Sequence, residues 1–306
     1  MTTPRLRIAT RGSALARWQA EHVADLLRRD AARPAIDVDL VLIETTADRR
    51  LDLSIEHMGG KGVFVKEIQE AVLDGRADLA VHSAKDLPSL TVDGLVLASI
   101  TERADPRDVL VGARYDTLPN GAHIATGSSR RRAQLAFQRP DLRFSELRGN
   151  IATRLTKCSS FDAIVMAKAA LDRLESQLRA SGTMPAVVDV LDPAVMTPQV
   201  AQGALAIEGR AGDDEVLTRL AAIEHPPSRR AVDAERAFLA ELGGDCTLPA
   251  GAYATLVGDD IQITGVLCAP NQPILVKETR RGKDPQLVGR LVARNLVEAL
   301  GDAWPR

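Results

Sequence analysis

An apolar run, Leu79-Ala80-Val81, breaks off into His82-Ser83-Ala84-Lys85-Asp86 and is closed by Leu87-Pro88. Proline lacks the N–H that sheet pairing needs, so a regular strand ends there. A buried strand that runs into a polar loop is where α/β sheets place ligand sites. Lys85 and Asp86 give that strand end an ammonium and a carboxylate, although the same pair would also suit a surface turn. The neighbouring sequence repeats the pattern. Arg5 to Ala9 alternates as a strand does. Thr10-Arg11-Gly12-Ser13 follows as a turn, with Ser13 suited to cap the next helix. In that helix Leu15, Trp18, Val23, Leu26 and Leu27 form the inner side. A strand–turn–helix junction of this kind presents backbone N–H groups to an anion. Ile36 to Ile43 reads as a second strand, and Gly59-Gly60-Lys61-Gly62 as a loop with one cation. A helix from Val63 to Leu73, stopped near Gly75, and a strand from Leu95 to Ile100 complete the unit. Alternation of this kind implies a largely parallel sheet covered by helices.

The charged stretch Thr101 to Asp108, broken by Pro106, marks a crossing into a second α/β unit. There His123-Ile124-Ala125 leads into Thr126-Gly127-Ser128-Ser129, and a helix opens on Arg130-Arg131-Arg132. Three cations in a first turn oppose the helix dipole, at about 0.3–1 kcal/mol each, and repel one another. Either an anion sits there or the turn is a solvated basic surface. Leu147-Arg148-Gly149-Asn150 and Thr153-Arg154 repeat the theme of arginines at a helix start, and the planar arginine fork suits carboxylate or phosphate. Phe161 to Ala167 reads as a strand, and Ala169 to Leu178 as a helix carrying Arg173. A connector punctuated by Pro185, Pro193 and Pro198 leads to a strand over Gln202 to Glu208, placed to return to the first sheet. Two sheets joined by two crossings would make a hinged cleft. The remainder is a smaller α+β unit, with a helix over Arg229 to Leu242, strands at Tyr253–Val257 and Ile261–Leu267, and a closing helix near Leu287 to Leu300. The loop Gly243 to Gly251 holds Cys246, unlike the buried setting usual for a structural thiol; an incidental thiol is the other reading. The expected fold is therefore two similar doubly wound α/β domains, 1–102 with 202–221 and 103–201, plus an α+β domain over 222–306.

With 306 residues, 45% hydrophobic and 26% charged, the chain has enough apolar surface for sizeable cores. A net charge of -2 and only 3% aromatic residues argue against nucleic acid as a partner. No window is apolar enough for a membrane span or a signal peptide, so a cytoplasmic protein is expected. The three cysteines, Cys158, Cys246 and Cys268, fit no zinc or redox spacing, and the five histidines are scattered. No metal site is indicated.

Taken together, Arg7-Ile8-Ala9-Thr10-Arg11, Gly59 to Gly62, Asp78 to Pro88, Asp105 to Asp108, Leu147 to Asn150, Thr153-Arg154-Leu155 and Gln202 to Glu208 resemble the porphobilinogen deaminase (hydroxymethylbilane synthase) family in order and spacing. The cysteine loop matches less fully. The resemblance implies a periplasmic-binding-protein-like pair of α/β domains flanking a cleft. It also implies a dipyrromethane cofactor, made from substrate and bonded to Cys246 as a thioether. Four porphobilinogen molecules would be joined head to tail, each losing ammonia, and water would release hydroxymethylbilane. Arg11, Ser13, Lys85, Ser129, Arg131, Arg132, Arg148, Arg154 and Arg173 would bind the acetate and propionate groups, with Lys61 and Ser83 as supporting loop residues. Asp86 would stabilise the cationic azafulvene left by ammonia and help move protons. Porphobilinogen would be the sole partner, with no nucleic acid and no membrane, and the enzyme would be monomeric. Asp245 stands where the family has glycine, Gly127 where it has threonine, and Arg130 where an apolar residue or proline is common; Gln199 and Ala201 replace Ala and Gly. The rival reading is a two-lobed anion- or solute-binding protein without catalysis, which would need neither Asp86 nor Cys246.

Overall fold

The computed structural model of the chain describes residues 5–46, 65–243, 248–269 and 273–304. In chain order the elements are β1 (Arg5–Arg11), α1 (Ala14–Arg28), β2 (Asp37–Ile43), α2 (Lys66–Leu73), β3 (Leu79–Ser83), β4 (Leu95–Ile100), β5 (Asp108–Val111), β6 (His123–Ala125), α3 (Ser129–Gln138), β7 (Arg143–Ser145), α4 (Ile151–Thr156) and β8 (Ala163–Ala167). They continue with α5 (Lys168–Ala180), β9 (Val188–Val190), β10 (Leu205–Arg210), α6 (Asp214–Ala222), α7 (Pro226–Glu241), β11 (Ala250–Val257), β12 (Asp260–Cys268), β13 (Leu275–Gly282) and α8 (Pro285–Leu300). Two compact units result: Met1–Arg103 with Ala204–Arg229, and Ala104–Gly203 with Arg230–Arg306.

The first unit is built on a five-stranded sheet of order β2-β1-β3-β10-β4. Alternation decides which layer each side chain joins. Ile8, Leu79 and Val81 pack with Ala20, Val23 and Leu27 of α1. Ala9 and Ala80, one residue along, pack with Ile68, Ala71 and Val72 of α2 on the other face. Each large side chain buried this way contributes about 1.5–3 kcal/mol. The sheet is mixed rather than largely parallel. β1 runs parallel to β2 and β3, but β10 is antiparallel to both β3 and β4. The cause is connectivity: β10 enters with Leu205 beside Ser83, at the end where β3 leaves, so it has to run the opposite way.

The second unit repeats this plan in the order β7-β6-β8-β5-β9, with β6 parallel to β7 and β8, and β5 antiparallel to β8 and β9. In both sheets the strand that arrives by the crossing connection is the antiparallel insert. Leu110, Ile124, Leu135, Val165 and Met196 form its core. An antiparallel sheet β11-β12-β13 belongs to the same unit. Gly265 of β12 lies so close to Phe238 of α7 and to Val292 and Leu296 of α8 that a Cβ would stand 2.6 Å from Val292 and 2.8 Å from Phe238. β9 and β13 escape the sequence reading. β9 has three residues in a proline-rich connector, and β13 is an edge strand whose Lys277, Glu278, Arg280 and Arg281 hide any apolar alternation. The loop over Gly59 to Gly62 and the start of the helix over Val63 to Leu73 lie outside the described residues.

The connector ahead of β10 contains Ala201 at φ 57°, where an L side chain crowds its own backbone. Its N–H donates to Glu235 Oε2 at 2.6 Å, and Ala254 N–H donates to Glu235 Oε1 at 2.7 Å. The buried Glu235 carboxylate therefore joins this turn to β11 and holds the strained geometry in place. Ala201→Gly removes the crowding and adds backbone entropy to the unfolded chain. The expected net gain is about 0.5–1 kcal/mol, or roughly 1–4 °C in a thermal melt; an unchanged or lower melting temperature would contradict the strain assignment.

Candidate active site

In the first unit the ends of β1 and β3 meet the start of α1. Ser13 caps α1, its Oγ accepting the Ala16 N–H at 3.3 Å, while Thr10 Oγ1 donates to the Ala16 carbonyl at 3.2 Å. Gln19, buried on the same helix, donates from Nε2 to Ser83 Oγ at 2.8 Å and so fixes the last residue of β3. The chain then makes a single 3-10 turn, Ala84–Asp86, closed by Leu87 N–H to the Ala84 carbonyl at 3.3 Å. Ala84 N–H donates to the carbonyl of Ala204, the residue that leads into β10, at 3.1 Å and so ties the turn to that strand's start. Buried Leu87 anchors its far side. The result is a small solvent-open pocket lined by Arg11, Ser13, His82, Ser83 and Asp86, with room of about 70 Å³. The strand end therefore delivers its carboxylate beside a guanidinium and a helix N-terminus. Lys85 is half-buried on the same turn, outside that lining. Beneath it, His82 Nε2 lies 3.0 Å from Glu208 Oε2, and Gln69 Nε2 donates to both Glu208 oxygens at 3.1 and 2.9 Å.

In the second unit the arginines cluster at two neighbouring junctions, β6 to α3 and β7 to α4, side by side because β6 and β7 pair in parallel. Ser128 is the N-cap of α3, accepting the Arg131 N–H at 3.4 Å, and Ser129 is the exposed first residue of the helix. Arg132 is exposed, its guanidinium 5.8 Å from the centre of the Phe144 ring. Arg148 is exposed, with Nε 3.6 Å from Glu146. Arg154, half-buried on α4, donates to the Gly149 carbonyl at 2.8 Å. Asn150 caps that helix, its Oδ1 accepting the Thr153 N–H at 2.9 Å. A Cβ at Gly127 would stand 2.9 Å from the Leu147 carbonyl oxygen, so glycine lets these two junctions approach.

The structure departs from the sequence reading at Arg130 and Arg131. The anion that the basic triplet needs is, for these two, a carboxylate of the chain itself. Asp108, at the start of β5, is fully buried. Its Oδ1 accepts Arg131 Nε and Nη2 at 3.0 and 2.7 Å and Gln202 Nε2 at 2.9 Å, while Arg130 Nη1 lies 2.8 Å from Oδ2. Burial alone would raise the Asp108 carboxyl; the two guanidiniums outweigh it and hold the group at about 2. Arg131 also donates to the Val165 carbonyl at 3.0 Å. Arg173 is directed inward too, donating to the Gly203 carbonyl at 2.6 Å, and burial pulls its guanidinium down to about 10. The sequence reading missed Asp108. Its signal was a single carboxylate opening the apolar run Val109-Leu110-Val111, where an unpaired charge is costly.

Cys246, Asp245 and Lys61 lie outside the described residues. Cys268 is buried, which pushes its thiol up to about 12, and half-buried Cys158 contacts the Val111 carbonyl at 3.3 Å. Among the described residues no His, Cys, Asp and Glu cluster suits a metal ion, and no helix is long and apolar enough to cross a membrane.

Residues 6–218 match the family model "Porphobilinogen deaminase, dipyromethane cofactor binding domain", and residues 230–298 match "Porphobilinogen deaminase, C-terminal domain". The chain is 45% identical over 305 residues to the porphobilinogen deaminase of Roseiflexus castenholzii, covering 97% of each chain. It is 43% identical over 303 residues to the porphobilinogen deaminase of Brevibacillus brevis, covering 97% of this chain and 95% of that one. Among solved structures, an amino acid ABC transporter substrate-binding protein from Streptococcus pneumoniae bound to L-arginine aligns at 14% identity and a TM-score of 0.38, over 72% of this chain and 86% of that one.

Proposed function

The chain belongs to the porphobilinogen deaminase family, and we propose that it is a hydroxymethylbilane synthase, joining four porphobilinogen molecules head to tail with loss of ammonia and releasing the linear tetrapyrrole by hydrolysis. The observation that carries the reading is the placement of Asp86 in one pocket with Arg11 and Ser13. A carboxylate beside a cation and a helix N-terminus suits a molecule that carries carboxylates on its rim and develops positive charge on its ring. A simple anion-binding protein gains nothing from it, because a carboxylate in the pocket repels an anionic ligand.

The donor set also fits a dipyrromethane group, since exposed Ser129, Arg132 and Arg148 offer hydroxyl and guanidinium donors to its acid side chains. Bound through Cys246, that group supplies a tethered electron-rich pyrrole carbon from which the chain grows. Arg11, Ser13 and Lys85 in the first unit, and Ser129, Arg132, Arg148 and Arg154 in the second, hold acetate and propionate groups; Arg131 and Arg173, bonded to Asp108 and to the Gly203 carbonyl, join them only on exchanging those partners for a ligand carboxylate. Lys61 and Ser83 support the loops around them. Asp86 accepts the pyrrole N–H, offsets the positive charge left when ammonia departs, and passes protons to and from the reacting carbon. Asp245 beside Cys246 disfavours the thiolate and slows attachment. The enzyme acts as a cytoplasmic monomer.

Supplying purified protein with porphobilinogen tests this. Ammonia is expected at four molecules per tetrapyrrole, the latter read as porphyrin absorbance after oxidation in acid; absence of both would overturn the proposal. Cys246→Ser is expected to leave the chain without a stable pyrrole adduct by intact mass, and an adduct of unchanged stoichiometry would place the attachment elsewhere.

A further inference from the structure

Glu208 has no part in the reading above, yet it puts a carboxylate into the apolar run of β10, where it is 1% exposed. Burying that charge is costly unless partners meet it. β10 pairs Ala206 with His82 and Glu208 with Ala80, so His82 and Glu208 stand on one face of the sheet as diagonal neighbours. On that face buried Gln69 of α2 donates its amide to both Glu208 oxygens, and His82 Nε2 comes within 3.0 Å of Oε2. Ionised carboxylate oxygens only accept, so the ring nitrogen that faces them carries the proton, and in the neutral imidazole Nδ1 is the bare one. The 3.0 Å contact is not aligned as a hydrogen bond, so Glu208 sets where the proton sits without locking the ring. Nε2 is buried, whereas Nδ1 is not among the buried atoms left without a partner, and His82 lines the pocket that holds Asp86. The ring thus reaches from a buried carboxylate to the pocket, with its basic nitrogen on the pocket side.

We infer that His82, backed by Glu208, is the proton outlet of Asp86. The inference rests on the proposed condensation at Asp86. Each new carbon–carbon bond leaves a cationic ring. The C–H bond at the joined carbon breaks, its electron pair returns to the ring, and Asp86 takes the proton. His82 Nδ1 then takes that proton from Asp86, directly or through one water in the pocket, and passes it to solvent, where the released ammonia ends as ammonium. Asp86 is ionised again before the next porphobilinogen arrives. The charged groups facing His82 are Glu208 from β10, Asp86 from the turn and Arg11 from β1, while α2 offers the neutral Gln69. Among these Glu208 is the buried charge that offsets the imidazolium while it holds the proton. His82 acts through Asp86 and touches no reacting atom, so it is a positioning residue.

Imidazole nitrogen NMR of the purified enzyme, with His82 assigned through its backbone, reads the tautomer with no substitution and no turnover. Neutral His82 is expected to be protonated at Nε2 and bare at Nδ1; the reverse would overturn the inference. His82→Ala is expected to lower kcat about 30-fold with KM for porphobilinogen within about threefold of the parent. Added imidazole, entering the space the ring vacates, should then raise kcat at least about fivefold. A kcat within about threefold of the parent would overturn the inference. So would a slowed variant that imidazole leaves unchanged, since that marks a merely structural role. The tautomer is read whether or not the parent releases ammonia, so failure of the proposed function is distinguishable from failure of this inference.

Discussion

Asp86→Asn is expected to lower kcat by about 10³-fold or more while leaving the melting temperature within about 3 °C of the parent. The two side chains have nearly the same shape, and the 3-10 turn that carries position 86 is held by backbone bonds from Ala84 and Leu87, so the geometry of the turn does not depend on the charge. What is lost is chemical. An amide neither takes up a proton at neutral pH nor offsets a cation, and among the described residues no other carboxylate lines the pocket with Arg11 and Ser13. Single-turnover measurement of ammonia release, beside a thermal melt, separates the two effects. Activity within tenfold of the parent would remove Asp86 from the centre of the mechanism.

Asp108→Ala is expected to destabilise the second unit by about 3–5 kcal/mol, because it leaves two buried guanidiniums facing each other with no anion between them. At roughly 2–4 °C per kcal/mol the melting temperature should fall by about 6–20 °C. The pH dependence follows from the same cluster. The folded Asp108 carboxyl is held at about 2, below its unfolded value near 4, so the unfolded chain binds the proton more readily. Its contribution is complete above the unfolded value and is lost as pH falls from there through about 2. Acid unfolding of the parent between pH 4 and 2 should therefore be steeper, by about one proton, than that of Asp108→Ala. A melt within about 2 °C of the parent at neutral pH would show that the cluster contributes little.

The elements nearest the site were the most legible. Ser13 as a cap, a strand over Leu79-Ala80-Val81 that runs into a polar turn, and the break before Pro88 all rest on local chemistry; the structure has them, with the strand carried on through Ser83. What the sequence hid depends on partners remote in the chain. β10 runs antiparallel because of where it enters the sheet, which no local pattern records. Arg130, Arg131 and Arg173 look like ligand-seeking arginines when read singly. Their inward direction is set by Asp108, 22 residues before Arg130, and by the Gly203 carbonyl. Gly127 reads as the loss of a hydroxyl, whereas the Leu147 carbonyl occupies the space a side chain would need.

The central claim is that a starter pyrrole is bonded to this chain and lengthened on it. Intact mass of the purified protein after incubation with porphobilinogen measures that directly. The expected spectrum shows the chain heavier than its sequence by a dipyrrole mapped to the Cys246 peptide, with further peaks each spaced by one monopyrrole less ammonia. A single peak at the sequence mass, with the porphobilinogen unconsumed, would contradict the account.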